Sequence, residues 1–133
     1  MALDQTRANE VLTWMHGGAA PTALTGPIHV RIYTVIGTAT TPGTEVATGG
    51  GYTSAGGAPT VTWAAAASGS QATNAAVNIT NYPRVENVAA IEIWDSTGTP
   101  KRVEWGAIAG GAKTMAIGDT LSFASGAITS ALA

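Results

Sequence analysis

No apolar pattern in this chain runs far before glycine, proline or asparagine cuts it short. From Pro27 onward the runs have a period of two and are broken about every 8–14 residues by turn-forming clusters, the signature of an antiparallel all-β protein. Pro27–Val35 is the clearest of them: Ile28, Val30 and Ile32 alternate with His29, Arg31 and Tyr33. That pattern predicts a half-buried strand with one polar face. Thr60–Trp63, Ala75–Ile79, Val88–Trp94, Lys101–Trp105, Lys113–Ile117, Thr120–Phe123 and Ala127–Leu132 follow as short extended segments. Asp95–Pro100 supplies the turn of a hairpin. The expected fold class is an antiparallel β-sandwich or jelly-roll-like arrangement of about eight short strands, in a single domain.

The exception comes first in the chain. Asp4 or Thr6 can cap a helix N-terminus, and Ala8, Val11, Leu12 and Met15 then recur at helical spacing. Gly17-Gly18 ends the pattern, because glycine takes the left-handed conformation at little cost. Residues 1–17 are therefore expected as a short helix docked on the sheet, with an unstructured arm as the alternative. Ala64–Ala67 is too short to nucleate a helix and reads as a strand end and turn before Ser68-Gly69-Ser70.

Alanine, glycine and threonine fill 63 of the 133 positions, and only 11% of residues are charged. Such a chain lacks the balance that keeps a disordered protein solvated. With one Phe, four Trp and three Tyr, its few large rings are expected to dominate the packing. No run approaches the roughly 20 apolar residues of a spanning helix, and no basic-then-apolar signal sequence is expected at the N-terminus. A net charge of −2 gives no footprint for nucleic acid. Zero cysteines exclude disulfides, zinc–thiolate sites and thiol nucleophiles.

Chemistry is sparse. His16 and His29 lie thirteen apart in different elements, unlike paired metal ligands. Ser70 and Ser125 are turn serines outside a G-x-S-x-G frame. Glycines 49–51 lack the Lys-Ser or Lys-Thr of a phosphate loop. Glu92 and Glu104, on facing hairpin arms, could come close enough to act as a carboxylate pair. Lys101 and Arg102 beside them favour solvated cross-strand ion pairs, which contribute a few tenths of a kcal/mol. No catalytic, cofactor or metal site is expected. The partner-facing candidates are Tyr82 and Arg84, on a Pro-containing loop, and Trp14, which falls off the helical stripe.

Four features, in order, carry a resemblance. A glycine-ended N-terminal helix precedes the aromatic-bearing strand Pro27–Tyr33. Gly43-Thr44-Glu45-Val46 leads to Gly50-Gly51-Tyr52. Ala66-Ala67-Ser68-Gly69 is followed by Asn74-Ala75-Ala76-Val77. Last come Trp94-Asp95, Trp105-Gly106-Ala107, Gly118-Asp119-Thr120-Leu121 and Gly126-Ala127. In this order they resemble a family of small tailed-phage virion proteins, variously minor capsid, head-decoration or tail-fibre proteins. The loop Asn81–Asn87 departs from the family pattern. The resemblance implies an all-β virion component without a catalytic site or cofactor, working as a homo-oligomer such as a trimer, with no nucleic-acid or membrane partner. Its first expected role is capsid decoration, binding and stabilising the major capsid shell. The alternative is a tail-fibre or tail-tip protein that binds a host surface receptor.

Overall fold

The chain alternates turn chemistry and short β segments, and the computed structural model, which describes residues 1–131, follows that alternation closely. In order come β1 (Ala2–Leu3), α1 (Gln5–Met15), β2 (Ile28–Val35), β3 (Thr44–Glu45), β4 (Thr60–Val61), β5 (Ser70–Ala72), β6 (Val77–Ile79), β7 (Glu86–Val88), β8 (Ala90–Trp94), β9 (Arg102–Ala107), β10 (Lys113–Met115), β11 (Leu121–Phe123) and β12 (Thr129–Ala131). The fold is all-β with one helix. Twelve strands stand among the described residues where about eight were expected, because turns leave most of them only two or three residues. The last expected strand falls on β12, and its final residue, Leu132, lies outside the described residues.

β2 is central. β8 pairs with one of its edges, followed by β9 and β1, while β3 and β4 share its other edge. All ladders are antiparallel, with Arg31 opposite Glu92 and Glu92 opposite Trp105. Three two-stranded ribbons complete the fold, β5–β12, β6–β11 and β7–β10. The Val88–Trp94 arm is split between two of these sets: β7 pairs with β10, then β8 returns to the main sheet. Ala89 makes the crossing without losing its backbone bonds, donating to the Tyr33 carbonyl and accepting from Ile108.

Val30, Ile32, Ile91 and Ile93 from the sheet meet Val77, Ile79, Val88, Met115 and Leu121 from the ribbons in a single apolar cluster. The opposite face of β2 is where sequence periodicity misleads. His29, Arg31 and Tyr33 are as buried as their apolar neighbours, so β2 has no solvated face. The 37–43 loop folds over that side, and Gly43 permits the approach: a Cβ there would sit 2.1 Å from the Val35 carbonyl oxygen.

The core rings are tyrosines. Tyr33, Tyr52 and Tyr82 are among the largest fully buried side chains, whereas no Trp is fully buried. Buried Tyr and Trp need a partner for their polar end. The Tyr52 hydroxyl accepts from Ile32 N–H (3.2 Å) and donates to Glu45 Oε1 (2.8 Å). The Tyr82 hydroxyl donates to Glu86 Oε1 (2.7 Å). Burial holds all three phenols protonated far above their ordinary range. Tyr52→Phe removes a partner from a buried N–H and a carboxylate, so urea denaturation should show a loss of about 1–3 kcal/mol. A change within experimental scatter would mean that water replaces the hydroxyl.

Candidate functional site

α1 forms as its sequence dictates. Asp4 is the N-cap, its carboxylate accepting from Thr6 N–H at 2.9 Å, and Gly17 follows the C-cap His16 with φ +85°. Docking, however, is confined to the N-terminal half. Asp4 N–H donates to the Val103 carbonyl and Gln5 N–H to that of Ala39. Arg7 bonds Glu10 (2.6 Å) and the Thr22 carbonyl (2.6 Å), tying the helix to the segment that leaves it. The expected apolar stripe packs only in part: Ala8 and Val11 are half-buried, no helix residue is fully buried, and Leu12, Trp14 and Met15 are 54%, 55% and 66% exposed.

What fixes the helix start is Arg102, at the head of β9 and 5% exposed. Its Nε and Nη2 donate to Asp4 Oδ2 (3.0 and 2.8 Å), and Nη1 donates to Glu92 Oε1 (3.1 Å). Thr41 and Thr38 carbonyls take the remaining donors (3.0 and 2.5 Å). Glu92, fully buried, also accepts from Gly43 N–H (2.9 Å) and Trp94 Nε1 (3.0 Å). Beside it Arg31 stacks over the Trp94 ring, its guanidinium carbon 4.2 Å from the centroid. The Glu92–Arg102 pair is thus the buried centre of a network rather than a solvated surface pair, and Lys101 takes no part in it.

Two clefts flank this network. An open polar one of about 520 Å³ lies between α1, the 38–43 loop and the β8–β9 hairpin, lined by Asp4, Asn9, Glu10, Thr40, Trp94 and Lys101 among others. An apolar groove of about 370 Å³ lies on the opposite face of the main sheet, walled by Leu3, Val11, Leu24, Trp63, Ile93 and Val103. Glu104 sits in its lining, opposite Ile93 in register and therefore on the other side of the sheet from Glu92. The two carboxylates do not converge, so the paired arrangement raised by the sequence is not built. Glu104 is 4% exposed, has no basic side chain paired with it among the described residues, and accepts from the Ser130 hydroxyl. Burial pushes its carboxyl above the usual range.

The remaining sequence candidates are placed elsewhere. Tyr82 is fully buried and presents no surface to a partner, because its ring enters the core beneath its own loop. Arg84 is spent within the chain, donating to the Ala47 carbonyl (3.1 Å) and Glu86 (3.3 Å) and so pinning the 81–87 loop to the 47–48 segment. Trp14 alone stands out. His29 is buried with Nδ1 2.7 Å from the Ala58 carbonyl, and His16 ends the helix. Among the described residues no cluster of three or more His, Asp or Glu is placed to hold a metal, and no helix is long and apolar enough to cross a membrane. The motifs that carried the resemblance do structural work: Glu45 accepts from Tyr52 and Ala55, and Asp95 and Asp119 accept the backbone N–H groups of their own turns.

These features define an all-β protein carrying one polar and one apolar cleft beside a half-anchored helix. Residues 2–131 match the model of a family described as Podophage GP4 fiber I protein gp80, and the chain belongs to that family. It is accordingly a structural protein of a tailed phage, located in the virion. No curated protein matches it.

Arg102→Met should lower the unfolding free energy by about 3–5 kcal/mol, because Glu92 is left buried, and Asp4 half-buried, without the guanidinium that bridges them. Arg102→Met combined with Glu92→Met should cost less than the single change; an equal or greater cost would show that the pair itself is not the issue. For Glu104 the sign is opposite to that of a salt-bridged acid. Its folded-state pKa is raised, so it favours folding when protonated and loses that contribution as pH rises through the folded value. Glu104→Gln should therefore gain stability relative to wild type as pH rises above the ordinary carboxylate range of about 4, measured as the difference in denaturation midpoints at each pH.

Proposed function

We propose that the protein is a component of the phage fibre rather than a capsid-decoration protein, and that it acts by binding, without bond-making chemistry or a cofactor. The observation that carries this reading is the family match across nearly the whole chain, to a family described by a fibre protein. Capsid decoration, the first expectation from sequence, gains nothing from that match. The fibre alternative does.

The polar cleft supports a receptor-contacting role. It offers the Trp94 ring, the carboxylates of Asp4 and Glu10, the Asn9 amide and the Lys101 ammonium on one open surface. Amides, carboxylates and a ring edge are the groups that bind a hydroxyl-rich surface such as a host glycan, and the buried Arg102 network holds Asp4 and Trp94 in place before the encounter.

Copy number tests the location. Quantitative mass spectrometry of purified particles should find a few to a few dozen copies per virion, and antibody labelling should place them on the fibre. Hundreds of copies spread over the head would reinstate decoration. For the binding role, purified protein should compete with phage for adsorption to host cells, and Asn9→Ala with Lys101→Ala should weaken that competition; undiminished competition by the double variant would remove the cleft from the role.

A further inference from the structure

Trp94 is held on two sides by its own chain and offered on a third. Its Nε1–H donates to buried Glu92 at 3.0 Å, and the Arg31 guanidinium carbon lies over one ring face, 4.2 Å from the centroid. Arg31 is 7% exposed and does not line the polar cleft, whereas Trp94 does. The ring face that the cleft reaches is therefore the one away from the guanidinium. Arg31 has little else to hold it: its Nε is buried without a hydrogen-bond partner, and its ion pair with Glu45 spans 3.7 Å. The stack on Trp94 is thus a principal contact of that guanidinium, and it backs the ring from behind.

The two sides of the cleft differ in kind. Trp94, Pro42 and Pro100 line it from the sheet and its loops, and Asp4, Asn9 and Glu10 from the helix. The carboxylates accept, the Lys101 ammonium donates, and the Asn9 amide does both. Asp4 is fixed by Thr6 N–H and Arg102, and Glu10 by Thr22 and Arg7, yet each carboxylate keeps acceptor capacity.

We propose that this cleft takes an uncharged pyranose ring laid flat on the free face of Trp94, with its hydroxyls turned to Asn9, Glu10 and Lys101. A pyranose is the chemical complement of these two sides. Its C–H groups make a face apolar, and each hydroxyl on its rim both donates and accepts. A phosphate or carboxylate only accepts, and would meet Asp4 and Glu10 with like charge. The cleft volume of about 520 Å³ lies within the range of small-ligand sites. The inference rests on the receptor-contacting reading of this cleft and narrows it to one class of sugar.

Saturation-transfer-difference NMR of the full chain with methyl glucoside, methyl galactoside and methyl mannoside should show millimolar binding of at least one of them, with transfer strongest to C–H protons on one ring face. Sorbitol, which has the hydroxyls without the ring, should receive none, and the uronide of a bound sugar should bind more weakly than its parent. Trp94→Ala should weaken binding about ten-fold or more, as loss of a central aromatic anchor does. Trp94→Phe keeps a face and drops the N–H, so it should bind more tightly than Trp94→Ala. The pattern of transfer on wild type needs no variant and stands even if Trp94→Ala does not fold. No transfer to any of the three glycosides, equal transfer to sorbitol, tighter binding of the uronide, or binding unchanged in folded Trp94→Ala would overturn the proposal. A protein that blocks phage adsorption while none of these sugars binds would sink this inference and leave the fibre reading standing; sugar binding by a protein found on the head would do the reverse.

Discussion

A guanidinium has five N–H donors in one plane, and the burial of Arg102 is tolerable because each direction of that plane meets an oxygen. Asp4 arrives from the N-terminal segment, Thr38 and Thr41 from the loop after β2, and Glu92 from the central hairpin. Three parts of the chain, separated by up to 98 positions, are held at one point. Removing a single partner strands charge in a low-dielectric site, so the network acts as a unit. The helix start, the loop cover over Glu92 and the position of Trp94 all depend on it.

Much of the framework was legible because it is local. Asp4 as a cap, Gly17 beyond the last helical turn, the Asp95–Pro100 turn and the alternation of β2 are each written within a few residues. The exposure of polar strand residues was not. Period two says which side chains share a face, but it does not say what covers that face. Arg31 and Glu92 were placed on a solvated side that the 37–43 loop covers, and the signal for that cover is Gly43, whose missing Cβ matters only against Val35 in three dimensions. Glu104 was misplaced for the same reason: its neighbours in sequence are Val103 and Trp105, and its partner Ser130 is 26 positions away.

Tyr82 and Trp14 show the limits of reading surface from residue type. A Tyr next to Pro on a predicted loop looks exposed, yet a hydroxyl four residues from Glu86 can bury its ring and still satisfy its polar end. The helical stripe of α1 reads as a docking face, yet it is covered only as far as Val11 and left open from Leu12 onward. Propensity and capping are sufficient to form eleven residues of helix when the first turn is anchored. They do not require the whole apolar side to be covered.

That division within α1 is where stability and interaction meet. A binding group on a mobile arm loses ordering entropy when it binds, whereas one on a clamped helix has lost most of it beforehand. The Asp4–Arg102 bond and the Arg7–Thr22 tie hold the first turns, so Asn9 and Glu10 line the polar cleft from a fixed base. The same buried arginine that completes the fold thus pre-orients the helix side of that cleft. Weakening the network would loosen the helix end before it unfolded the sheet, because Arg102 stands only at the end of the β8–β9 ladder, opposite Trp94, and outside the apolar cluster.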